Sequence, residues 1–250
     1  MINFGIKLWS SNSIDAFTNA RKLVNKNIFQ CLEVYHNAEE KLDFQKLEVV
    51  RGLPVNIHNT NNLGWHEFIL NQEQLDIWGK TLHMADFFES NYIVVHPGAN
   101  HTIKSFEKEL SKIDDPRIIL ENMPGLDRSN KLMYATTMEE LKELKLKKDF
   151  CFDFEKAIKA AHRHNVDYKL YITRCINEIK PLYFHISGGD KDSSVDQHLH
   201  LWDSNFDIKW IREQLETVAR VKNVTLIFET PKDGDKLNTD IKNIEYFKKI

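Results

Sequence analysis

Tyr92-Ile93-Val94-Val95-His96-Pro97-Gly98 is the stretch whose reading decides the fold. It is a continuous apolar run, which suits a strand buried on both faces, because a sheet with one wet face would alternate polar and apolar residues. The run stops on an imidazole and a Pro-Gly turn. Ahead of it, Gln72 to Glu89 places Leu75, Trp78, Leu82 and Ala85 at helical spacing, and behind it Ile103 to Ile113 also reads as a helix. A buried strand between helices is the repeating unit of a parallel α/β sheet.

The unit recurs along the chain. Strands are expected at Ile2 to Leu8, Ile28 to Tyr35, Val55 to His58, Arg117 to Leu120, Phe150 to Phe152, Leu182 to Phe184 and Thr225 to Phe228. Helical patterns run from Ser13 to Val24, around Leu42 to Val50, from Thr137 to Leu146, in two pieces between Glu155 and Asn177, from about Asp207 to Val221, and from Asn238 to Ile250. No Pro/Gly/Ser-rich linker divides these elements, so a single domain over residues 1–250 is expected. Eight strands alternating with helices is the order of a single (β/α)8 barrel, and a doubly wound open sheet shares it.

The polar residues add to the barrel reading. Glu33, His58, His96, Glu121, Asp153, His185 and Glu229 each stand at or beside the C-terminal end of an expected strand. In a barrel all those ends open on one face, where the active site lies. One such residue is commonly hydrogen-bonded structure, but seven converging imidazoles and carboxylates form a ligand set suited to zinc, manganese or a similar divalent ion. The connection from Pro181 to Asp203 adds Asp196-Gln197-His198-Leu199-His200, an Asp-x-His-x-His cluster after a glycine-containing turn. Taken alone it is equally a polar loop that contains histidines.

Composition bounds the function classes. A 42% hydrophobic and 28% charged chain is ordinary for a globular protein, and no apolar run reaches a membrane span. The N-terminus lacks the basic start and apolar core of a signal peptide, so a cytoplasmic location is expected. Cys31, Cys151 and Cys175 are widely spaced and read as core thiols rather than disulfide partners. A net charge of -3 gives no electrostatic footprint for nucleic acid.

His96-Pro97-Gly98, Glu121-Asn122 with Gly125, Asp153, His185, Asp196-x-His198 and Glu229-Thr230-Pro231 together resemble the xylose isomerase-like TIM-barrel superfamily, and within it the endonuclease IV (AP endonuclease family 2) branch. The resemblance implies that His58, His96 and Glu121 hold a first zinc. It implies that Glu121 bridges to a second, held also by Asp153, His185 and Glu229. Asp196 and His198 match two ligands of a third zinc, but the position of the third ligand is Lys156, whose ammonium does not bind a cation. One to two ions are therefore expected, zinc first, with manganese or magnesium as alternatives.

Other departures concern the substrate. Asn61 and Asn62 stand where the endonuclease branch carries residues that enter DNA, and no Arg-containing loop follows Tyr35, so DNA remains a partner without evident contacts. Glu33 resembles instead the sugar isomerase and epimerase branch. The run Lys145 to Lys148 precedes a strand and falls on the opposite face of a barrel.

Three functions follow from these ligands. The first is a metal-dependent phosphoester hydrolase using an activated hydroxide. The second is a sugar or sugar-phosphate isomerase or epimerase in which one metal assists the carboxylates of Glu121 and Glu229 as base and acid. The third is a metal-containing binding module without catalysis. A small phosphoester or sugar is the expected substrate. Lys156 is expected to reach the mouth near Asp196 and His198, where it holds a substrate oxyanion, or else to pair with Asp196 or swing out to solvent. Trp9, Trp65 and Trp202 are equally mouth or packing residues.

Overall fold

The computed structural model describes residues 1–60, 68–99 and 101–250. Asn61, Asn62 and Trp65 lie outside the described residues. Eight parallel strands close into a barrel in sequence order: β1 (Ile2–Trp9), β2 (Cys31–Tyr35), β3 (Val55–His58), β4 (Ile93–Val95), β5 (Ile118–Glu121), β6 (Asp149–Asp153), β7 (Tyr183–Ile186) and β8 (Val224–Phe228). The outer helices are α1 (Ile14–Asn25), α2 (Phe44–Leu47), α3 (Gln72–Phe87), α4 (Ile103–Leu110), α5 (Met138–Lys145), α6 (Phe154–Arg163), α7 (Tyr168–Ile179), α8 (Ile208–Ala219) and α9 (Asn238–Lys249). The open-sheet alternative is excluded because β8 pairs with β1, with Gly5 opposite Ile227.

Local signals set the helix starts. Asn71, Thr102 and Thr137 each form a capping box with the residue three positions on, and Ser13, Asp153 and Asp167 cap through one oxygen. The sequence reading and the structure differ mainly after Asn25. The expected strand from Ile28 begins only at Cys31, because Asn27 adopts a left-handed φ of 57° and turns the chain before the strand. The segment from Leu42 to Val50 contains one short helical turn and a 3₁₀ turn in place of a full helix.

The barrel interior is layered by the two-residue period of a strand. Cys31, Val94, Ile119, Cys151, Tyr183 and Ile227 form a buried cluster separate from the larger core between barrel and helices. Two residues further along the same strands stand Glu33, His96, Glu121, Asp153, His185 and Glu229, all buried. An apolar layer therefore floors a layer of charge at the C-terminal mouth. Lys145 and Asp149 line a small hollow with Tyr92 and Leu182 at the other end of the barrel.

Gly5 belongs to the apolar layer. A Cβ there would come within 2.3 Å of Ile227 Cδ1 and 2.7 Å of Cys31 Sγ. Gly5→Ala is expected to lower the unfolding free energy by about 1–3 kcal/mol through overpacking. Gly79→Ala, on α3 with nothing within 4 Å of the added carbon, should instead raise it by up to about 1 kcal/mol. Urea denaturation of the two variants checks both signs.

Candidate metal centre

Glu121 ends β5 and is the most heavily contacted carboxylate of the mouth. Its Oε2 lies 3.2 Å from His58 Nε2 and 2.6 Å from His96 Nε2. Its Oε1 lies 3.0 Å from His185 Nδ1 and accepts from Lys156 Nζ at 2.6 Å. The two oxygens thus face two different sets of donors. Asn122 locks the adjacent strand end, donating to the Asp153 carbonyl at 2.9 Å and accepting from the Asp153 amide at 2.7 Å.

His185, at the end of β7, joins the opposite side of the barrel to this carboxylate. Its Nδ1 is 2.8 Å from Glu229 Oε1, and its Nε2 is 2.8 Å from Glu33 Oε2. Glu33 also accepts from the Tyr183 hydroxyl at 2.8 Å. Asp196 and His198 are brought together in the connection after β7, with His198 Nε2 2.6 Å from Asp196 Oδ2 and Nδ1 3.3 Å from Glu229 Oε2.

The charges shape one another. Burial opposes ionisation of Glu121, yet Lys156 and His185 outweigh it and hold the carboxyl well below its usual range. Burial likewise opposes ionisation of Glu229, and Lys7, His185 and Lys156 bring it well below the usual value. Asp153 goes the other way: burial, with Glu121, Glu229 and Asp196 nearby and only partly offset by Lys156, pushes it up to about 6. Burial and then the charge of Lys156 lower His96 to about 3, so its imidazole is neutral, the form that binds metals. His198 rises to about 10 against burial, chiefly through Asp196 and Glu229.

The donor set fits a divalent ion. Ligand atoms of Glu121, Asp153, His185 and Glu229 all lie within 4.8 Å of one another, as do those of His58, His96 and Glu121. Asp153 Oδ2 and Asp196 Oδ1 are buried without a hydrogen-bond donor, as a carboxylate oxygen awaiting a cation would be. Imidazole and carboxylate together suit zinc or manganese.

Two residues that the sequence reading did not single out complete the site. Lys7, on β1, is buried between Glu33 and Glu229 and donates to Glu229 Oε1. Its place was readable from an inward-facing polar residue between Ile6 and Leu8, both fully buried on the other face. Glu155, the second residue of α6, accepts from the amides of Gln197 and His198, each at 3.0 Å, and from the Ser187 hydroxyl at 2.5 Å. It thereby fixes the connection that carries Asp196 and His198. That anchoring matters because His198 sits at a left-handed φ of 53°. Glu155, Asp196 and His198 also form a three-donor group, although the Glu155 oxygens are already engaged by the loop.

Lys156 reaches the mouth as expected, but its ammonium turns to Glu121, with His96 Nε2 at 3.4 Å, and makes no ion pair with Asp196. It is fully buried rather than swung to solvent. The mouth encloses about 140 Å³, lined by Lys7, Trp9, Tyr35, His58, His96 and Lys156, with Asp196, His198 and Glu229 closing it. Trp9 is therefore a mouth residue. Trp202 is not, since it stacks on His200 at 4.5 Å and borders a groove with Lys242 and Tyr246.

In fold the chain is a (β/α)8 barrel that is similar over its whole length to several solved structures. It superposes on endonuclease IV from Thermus thermophilus with a TM-score of 0.71 at 17% identity, covering 98% of each chain. It superposes on 3-keto-D-glucoside 4-epimerase from E. coli with a TM-score of 0.65 at 13% identity, covering 100% of each. A sugar phosphate isomerase/epimerase from Parabacteroides distasonis gives a TM-score of 0.54 at 13% identity, covering 98% of each. No protein-family model and no curated protein matches the sequence. No helix among the described residues is long and apolar enough to cross a membrane.

Glu155→Ala should leave the Gln197 and His198 amides and the Ser187 hydroxyl without their acceptor, while the Lys159 ammonium keeps the Asp190 carbonyl and Gln197 Oε1. A loss of roughly 1–3 kcal/mol in stability for each donor left unpaired is expected. Hydrogen exchange of the Gln197 and His198 amides should rise more than that of the β5 amides.

Proposed function

We propose that this chain is a divalent-metal-dependent enzyme that hydrolyses a small phosphoester in the cytoplasm. The observation that carries the reading is the division of Glu121: one oxygen toward His58 and His96, the other toward His185. A carboxylate so divided is suited to bridging two cation positions. His58, His96 and Glu121 would hold one, and Glu121, Asp153, His185 and Glu229 the other, giving one to two ions with zinc preferred. Bound divalent ions would supply a water activated at neutral pH and neutralise charge on a phosphoryl group.

The chain's own residues do the rest. Neutral His58 and His96 line the cavity together with Asp196 and His198. Lys156 offers its ammonium to a substrate oxyanion, as a point charge in a site with little water. Trp9 and Tyr35 border the opening and, with a space of about 140 Å³, favour a small substrate over a large one.

Sugar isomerisation or epimerisation is the second reading, favoured by one observation. Glu121 Oε1 and Glu229 Oε1 flank the same nitrogen of His185, at 3.0 and 2.8 Å, so two carboxylates stand ready as base and acid around one position. Glu33 contributes less to this reading than its place at a strand end implied. It is wholly buried and held by Lys7, Tyr183 and His185.

Replacing His58 and His96 together by Ala is expected to lower the bound metal by one ion per chain and to cut hydrolysis of a phosphodiester model at least about 10²-fold. Elemental analysis and steady-state kinetics read the two effects. An unchanged metal content with unchanged turnover contradicts the two-position reading. Retained isomerisation of a ketose by the double variant would favour the second reading.

A further inference from the structure

Two ammonium groups stand inside the carboxylate cluster. Lys7 Nζ donates to Glu229 Oε1 and lies 3.3 Å from Glu33 Oε1. Lys156 Nζ lies 2.6 Å from Glu121 Oε1 and 3.9 Å from Asp153 Oδ2. Both side chains are almost wholly enclosed, at 7% and 1% exposure. The oxygens they hold are the same two that face His185 Nδ1. A cation entering among Glu121, Asp153, His185 and Glu229 therefore meets an ammonium on either side, each bonded to an oxygen the ion would take.

Burying Glu33, Glu121, Asp153 and Glu229 in one small volume is costly unless positive charge accompanies them. The two lysines supply much of that charge in the metal-free chain, and His185 adds to it at Glu121 and Glu229. The same pairing acts against a metal, because an arriving ion must displace an ammonium from its carboxylate and then tolerate it nearby. Displacement has a route, since both lysines line the cavity.

We propose that Lys7 and Lys156 are resident counter-ions of this centre, each competing with a divalent ion for Glu229 and Glu121. They hold the metal-free fold together and weaken the binding of ions at the positions they border. The proposal rests on the metal reading given above. Its consequence is a centre that takes fewer ions, and holds them less tightly, than its imidazoles and carboxylates alone would allow.

The test uses the full chain stripped by chelation and dialysis, with Zn²⁺ and Co²⁺ as probes. Lys7→Met and Lys156→Met keep an unbranched side chain one atom shorter and remove its charge, whereas Lys7→Arg and Lys156→Arg keep the charge. Each Met variant is expected to bind Zn²⁺ roughly 10²-fold more tightly than the unaltered chain, or to take up one more ion, because the ion relieves a carboxylate left unpaired. Its melting temperature without metal should fall and should recover with Zn²⁺ by more than that of the unaltered chain. The Arg variants should show no gain.

Calorimetry and elemental analysis giving the same ion count and affinity for the unaltered chain and both Met variants overturn the proposal while leaving the metal centre standing. Absence of binding to the unaltered chain and to every variant overturns the metal centre itself. A Met variant that folds only with Zn²⁺ supports the proposal. One that folds neither with nor without Zn²⁺ overturns it, since the ion then fails to replace the ammonium.

Discussion

The carboxylate of Glu121 is fully buried, floored by the apolar layer of Ile119, Cys151 and Ile227, and surrounded by three imidazoles and an ammonium. A charge in that position is tolerable only if its partners are delivered with good geometry. The closed barrel delivers them, because His58, His96, Asp153, His185 and Glu229 come from the ends of different parallel strands that open on one mouth. The strand period of two does the sorting, with apolar side chains one layer down and charged ones at the rim. Nothing local in any single strand could place these groups together.

Loops and helix ends finish what the strands begin. Asn122 ties the end of β5 to the end of β6, and Glu155 at the start of α6 pins the long connection after β7. Gly188 lets that connection close. A Cβ there would sit 2.0 Å from the His200 carbonyl oxygen, so only glycine permits the approach. The left-handed backbone of His198 is thereby held, and its imidazole faces Asp196 and Glu229. Stability and site geometry thus share the same contacts around Glu155.

Much of this was legible in the sequence, for physical reasons that also explain the failures. Tyr92 to Val95 announces a strand covered on both sides, and His96 after it announces the mouth, because period and burial are local properties of a parallel sheet. Lys7 was harder to see, since a lysine near the start of a chain reads as solvated, and its partners Glu33 and Glu229 lie far off in sequence. Glu155 looked like an ordinary acidic residue in a first helical turn. For Lys156 the spacing from Asp153 located the side chain, but the choice of Glu121 over Asp196 depends on where α6 aims it, which only the packed helix decides. The strand expected from Ile28 was lost to a turn at Asn27 whose left-handed φ leaves no periodic trace.

The central claim is that the strand-end carboxylates and imidazoles form a metal centre around Glu121. Anomalous diffraction from crystals grown with Zn²⁺ or Mn²⁺ tests it most directly. The account predicts an anomalous peak bounded by Glu121, Asp153, His185 and Glu229, with ligand distances of about 2.0–2.2 Å for zinc. Anomalous signal confined to surface residues, with the Lys7 and Lys156 ammonium groups still seated on Glu229 and Glu121 at saturating metal, would contradict it.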